Sequence, residues 1–226
     1  MEERTATNTV NEQAVQPKAT AMQTVANLIS VIFHPVFMPL AMALVIYKLA
    51  PAGFAGMQPK QVVLLFASIG ISTLFFPLFA IGLMKPLGFI GSFRMPAARD
   101  RIIPLLATMI FYFWISHVFN NLPAMPLALR VLLRGNFWGI ILVFLANIFT
   151  KVSMHTAAAG GMIGILIVLL MTSPANMILP LFVGLIVAGI IGSARLALGA
   201  HQRGDVWLGY IIGIIAQLGA YVYVSS

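Results

Sequence analysis

The sequence predicts an all-α integral membrane protein: a bundle of six or seven transmembrane helices with a polar pocket at one membrane face. Three observations carry that expectation. Hydrophobic residues make up 61% of the chain and charged residues 8%, against about 25% charged in soluble domains. The apolar residues fall in long runs, and a helix crossing a bilayer needs about 20 of them. The runs are continuous, without the period-two alternation of a membrane β-strand.

Residues 1–25 are rich in Thr, Gln, Asn and Ala and read as a disordered polar tail. They lack the basic start and immediate apolar stretch of a signal peptide. Residues 26–226 then form a single transmembrane domain with spans expected at 26–48, 60–84, 102–121, 131–150, 156–172, 177–197 and 205–224. Pro51, Gly53, Gly56 and Pro59 mark the first loop. The second, 85–101, is the longest polar interruption. Pro123 and Pro126 separate the third and fourth spans, and Ser173-Pro174 the fifth and sixth. The fourth and fifth spans carry the weakest signal. Arg130, Arg134 and Asn136 crowd one, and Gly160-Gly161 interrupts the other.

The charges exclude several functions. A net charge of +8 could suit nucleic acid, but a soluble basic surface needs a charge density this chain lacks. Basic residues are instead expected at membrane interfaces or around an anion. There is no cysteine, hence no thiol chemistry or Cys-ligated metal. Beyond Glu2, Glu3 and Glu12 in the tail, the only acidic residues are Asp100 and Asp205. That scarcity argues against ion-coupled transport and against carboxylate metal sites.

Alternate threading puts Arg94, Arg99, Arg101, Lys151, Ser153, His155, Arg195, His201, Arg203 and Asp205 on one membrane face. Any one of these cations could simply snorkel to the headgroups. Their grouping points further. Arg195, His201 and Asp205 form the pattern Arg-x5-His-x3-Asp. Four residues separate His201 from Asp205, which on a helix would place both on one face. An Asp holding one imidazole nitrogen leaves the other free as a nucleophile. The guanidinium of Arg195 suits bidentate binding of a phosphoryl group. Ser153 is expected to cap the fifth span, with His155 in its first turn, where amides and dipole favour an anion. Arg94 and Arg101 are seven residues apart and would share a face if their stretch were helical. Arg99 is an alternative partner.

These pieces resemble the signature motifs of the type 2 phosphatidic-acid phosphatase superfamily, which includes the vanadium-dependent haloperoxidases. Its pattern runs Lys-x6-Arg-Pro, Pro-Ser-Gly-His and Ser-Arg-x5-His-x3-Asp. The third motif matches at Arg195, His201 and Asp205, with Ser193 displaced by one position. In the second, Ser153 and His155 match while Val152 and Met154 replace proline and glycine. In the first, Arg94 replaces lysine and the proline comes at Pro104. The likeness spans about residues 85–210 and is nearest a divergent branch of small bacterial integral-membrane members.

The resemblance implies a hydrolase acting on a lipid phosphate or polyprenyl diphosphate, with no cofactor and no nucleic-acid partner. His201 would be the nucleophile, Asp205 its orienting partner and His155 the general acid. Arg101 and Arg195 would clamp the phosphoryl oxygens, with Arg94 or Arg99 and Ser153 adding donors. Alternatives are a lipid phosphotransferase sharing the phosphohistidine, or an inactive transporter or scaffold on the same fold. A heme or quinone protein would need His34 and His117, which threading puts near opposite ends of spans.

Overall fold

The computed structural model describes residues 20–93, 95 and 99–226. Residues 1–19 of the polar tail and Arg94 lie outside the described residues. All regular structure among the described residues is helical. Helix α1 (Ala21–Ile32) starts five residues before the expected span. Thr20 caps it: its hydroxyl accepts from the Gln23 amide, and the Gln23 side chain accepts from the Thr20 amide. Residues 21–25 are therefore helix rather than tail.

The first apolar run does not form one span. Pro35 fixes its own φ and disfavours helix at His34 before it. A turn at His34–Phe37 divides α1 from α2 (Met38–Leu49). Each of these helices has 12 residues, so about 18 Å of length at 1.5 Å per residue, short of a bilayer core of about 30 Å. The other six expected spans are present as helices long and apolar enough to cross a membrane. The first of them, Pro59–Met84, consists of α3 (Pro59–Gly70), a wide π-turn at Ile71–Phe75 and α4 (Phe76–Met84). Pro77 cannot donate to the carbonyl of Thr73, and its ring would crowd that carbonyl; the wider turn makes room. The remainder are α5 (Ile102–Asn121), α6 (Leu127–Phe149), α7 (Met154–Thr172), α8 (Ile178–Ala197) and α9 (Arg203–Ser225). The chain is thus a multi-pass membrane protein whose outer apolar side chains meet lipid.

The span with the glycine interruption is the most enclosed of the six. In lipid, helices associate through close packing at small residues. A Cβ placed on Gly213 of α9 would lie 2.1 Å from the Ala157 carbonyl oxygen, and one on Gly160 of α7 2.3 Å from that of Tyr210. Gly160, Gly209 and Gly213 therefore let α7 and α9 touch backbone to backbone. Arg134 rests on the ring of Tyr223, 5.3 Å from its centroid, which accommodates the cation inside α6.

Gly213→Ala is expected to lower stability by about 1–3 kcal/mol, because the methyl meets backbone that cannot step aside. Gly189→Ala, where a Cβ meets nothing within 4 Å, is expected to be neutral or stabilising by up to about 1 kcal/mol. Denaturation in detergent compares the two; equal effects would contradict the close seam.

Candidate functional site

The starts of α7 and α9 are tied together. The Ser153 amide donates to the Asp205 carbonyl at 3.3 Å. Ser153, fully buried, is the N-cap of α7: its hydroxyl accepts from the Thr156 amide at 3.4 Å. His155 follows in the first turn. Its Nε2 lies 3.0 Å from the carbonyl oxygen of Ser30 in α1. A carbonyl only accepts, so Nε2 carries a proton and Nδ1 is the nitrogen left to exchange one.

Ser30 does a second job. Its hydroxyl donates to the Ala26 carbonyl and accepts from Nη1 of Arg195, each at 2.8 Å. Arg195 lies in the last turn of α8, and its Nε is buried without a partner. Arg101 comes from the other side. Only 8% exposed, it donates from Nε to the Met95 carbonyl at 3.2 Å and from Nη1 to the Val152 carbonyl at 3.5 Å. Both guanidiniums keep donors available for an anion.

Between Arg94 and Arg101 the described residues are Met95 and Arg99–Arg101, and they do not continue one α-helix. Met95 has φ 43°, and Arg99–Arg101 form a single 3-10 turn before α5. Burial therefore selects Arg101, while Arg99 is exposed and makes no hydrogen bond to the cluster among the described residues.

His201 also departs from expectation. It does not share a helix face with Asp205, because α8 ends at Ala197 and α9 begins at Arg203. Gly199, with φ 60°, turns the chain between them in the left-handed conformation glycine tolerates. The pair meets across the helix start instead. Asp205 Oδ2 accepts from the Gln202 amide at 3.0 Å and lies 3.4 Å from His201 Nδ1. Nδ1 is buried without an aligned hydrogen bond, so the contact is electrostatic. Burial, then the nearby guanidiniums of Arg195 and Arg101 and the Lys151 ammonium, hold the His201 imidazole below its ordinary range, with Asp205 pulling the other way. The ring is neutral at neutral pH.

The structure thus gathers Arg101, Ser153, His155, Arg195, His201 and Asp205, and adds two residues. Ser30 is one that sequence reasoning missed. His34, weighed from sequence only for heme or quinone, is the other: its ring stands edge-on to His155 with centroids 5.4 Å apart. The signal for it was the pair His34-Pro35 inside an apolar run, which marks a broken helix rather than a span. His117 is far from this group in sequence position on α5 and contacts Asn121 and Phe113. Among the described residues no three His, Asp or Glu side chains are placed to hold a metal ion.

Cationic groups outnumber carboxylates here, and two helix N-termini add their partial positive charge. The arrangement can bind a multiply charged oxyanion, present one neutral imidazole to it and bring a second imidazole alongside. Comparison with protein-family models, curated proteins and solved structures finds no match to this chain.

Proposed function

We propose that this protein is a membrane-embedded lipid phosphate or polyprenyl diphosphate phosphatase working through a phosphohistidine. The observation that carries the reading is the meeting of the His201–Asp205 pair with His155 and two guanidiniums, buried Arg101 and half-buried Arg195, at the start of α7. The resemblance to the type 2 phosphatidic-acid phosphatases assigns the same residues to the same tasks. Its nearest branch is bacterial, which supports a multi-pass location in the cell membrane, the inner membrane of a bacterium.

With Nδ1 turned to Asp205, Nε2 of His201 is the attacking atom. It forms a bond to phosphorus as the bond to the lipid oxygen breaks. Protonated His155 gives the Nδ1 proton to the departing oxygen, then takes one from water as that water attacks the phosphohistidine. Free phosphate leaves and His201 is restored. Arg101 and Arg195 hold the equatorial oxygens, where fixed donors act most strongly on the developing charge. Ser153 acts through the α7 start that it caps.

Purified protein in detergent is expected to release phosphate from lipid phosphates and to be inhibited competitively by vanadate, which mimics the five-coordinate phosphoryl state. Activity untouched by millimolar vanadate, or no phosphate release from any lipid phosphate, would count against the reading. The pH profile supplies a separate check. Because His201 is held below its ordinary range, it stays unprotonated as pH falls past the usual histidine value of about 6.5. The acid limb of kcat/KM that reports the nucleophile is therefore expected below about pH 6.5. A limb above that value would contradict the assignment.

A further inference from the structure

Ser30 lies near the end of α1, a helix too short to cross the bilayer that packs chiefly on α8. The side chain is buried. Its hydroxyl has one hydrogen, and that hydrogen is committed within its own helix, to the Ala26 carbonyl at 2.8 Å. Only lone pairs therefore face Arg195, which donates to them from Nη1 at 2.8 Å. Among the described residues Arg195 forms no ion pair with a carboxylate, and a charge close to it is that of Arg101. The choice of partner matters. A carboxylate would orient the guanidinium by offsetting its charge, and would compete with a phosphoryl group for its donors. A hydroxyl orients it and leaves the charge for an anion.

The bond also selects an edge. A guanidinium presents five N–H groups in a flat fork. Nη1 lies on the side away from the Nε hydrogen. Tying it down leaves the Nε–Nη2 edge, whose two N–H bonds run parallel and match two oxygens of a phosphoryl group. Nε on that edge is buried without a partner, where an unpaired donor is costly. The guanidinium is close enough to His155 and His201 to act on both rings.

We infer that Ser30 is a positioning residue: it pins Nη1 of Arg195 and so holds the Nε–Nη2 edge for the phosphoryl oxygens. That the anion is a phosphoryl group rests on the phosphatase reading. The alignment of Arg195 is measured by anion binding alone, without turnover. The bond from His155 goes to the Ser30 carbonyl and does not need this hydroxyl, so substitution separates the two duties of Ser30.

The test is vanadate binding to the full chain in detergent, read by vanadium NMR, in wild type, Ser30→Ala, Arg195→Met and the double variant. Ser30→Ala suits a helix and keeps the carbonyl. It is expected to weaken vanadate binding about tenfold, the worth of one hydrogen bond to a charged group. Arg195→Met keeps a long side chain without a donor. In that background Ser30→Ala is expected to cost less than about twofold, because residues that act through one another are not additive. Ser30→Thr keeps a hydroxyl that can reach the carbonyl four residues back. It is expected to bind vanadate more tightly than Ser30→Ala. With alkyl and aryl phosphates, Ser30→Ala is expected to lower kcat/KM by the same factor, since His155 keeps its carbonyl. Unseating of α1 would disturb His155 as well and change the alkyl-to-aryl ratio. Wild-type affinity in Ser30→Ala, additive losses in the double variant, Ser30→Thr no better than Ser30→Ala, or a changed alkyl-to-aryl ratio would overturn the assignment. If the coupling holds and no lipid phosphate is hydrolysed, only the phosphatase reading fails. If lipid phosphate is hydrolysed and Ser30→Ala binds vanadate like wild type, only the positioning role fails. Absence of vanadate binding in wild type overturns both.

Discussion

His201→Ala is expected to stop phosphate release from every lipid phosphate, with a loss of about a thousandfold or more, as when a covalent nucleophile is removed. The substitution deletes the imidazole that lies near both guanidiniums and within 3.4 Å of a carboxylate. Substrate binding should survive, because the anion is held by Arg101, Arg195 and the α7 start. The measurement is single-turnover phosphate release together with vanadate binding. Loss of release with vanadate still bound fits the nucleophile. Full activity in the variant would sink the covalent mechanism and bring forward the transporter or scaffold alternative. Asp205→Asn should fall between wild type and His201→Ala, since the imidazole stays nearby without its charge partner.

The second large effect separates the two histidines. General acid catalysis contributes about a hundredfold to ten-thousandfold, and it matters most when the leaving group is basic. His155→Ala is therefore expected to cripple turnover of an alkyl lipid phosphate by about that factor. An aryl phosphate, whose leaving group departs without a proton, should lose far less. The Ser30 carbonyl holds Nε2 of His155 at 3.0 Å, so Nδ1 is the nitrogen that works. The phosphohistidine should also accumulate, since water activation slows. Equal losses for alkyl and aryl substrates would remove the acid role from His155.

Most of the fold was legible because hydrocarbon length and polarity set it. The six long spans lie within a few residues of where the apolar runs put them. The first run misled because hydropathy counts residues and does not see that Pro35 breaks the helix. The α7 glycines looked like weakness; in lipid they are contact surface. Within the site, parity placed His155, Arg195, His201 and Asp205 on one face, since helix length fixes which end a residue occupies. The route by which His201 meets Asp205 was not legible, because four-residue spacing fits a helical turn and a helix-start loop alike. Ser30 was invisible for another reason. Its carbonyl and hydroxyl matter, and a backbone acceptor leaves no mark in a sequence. Arg101 stood out from Arg99 only once burial was known.

The close seam between α7 and α9 has a consequence for how the protein is made. Ser153 and His155 belong to one of these helices and Asp205 to the other, and α8 is threaded between them in the chain. While the protein is being inserted, α7 presents Gly160 and Gly161 to whatever lies beside it, and the Ser153 amide has no Asp205 carbonyl to meet. The contacts of His155 and Arg195 with Ser30 need no part of α9. The cluster is completed only when α9 docks into the glycine face and brings its capped start, with Asp205, against that of α7.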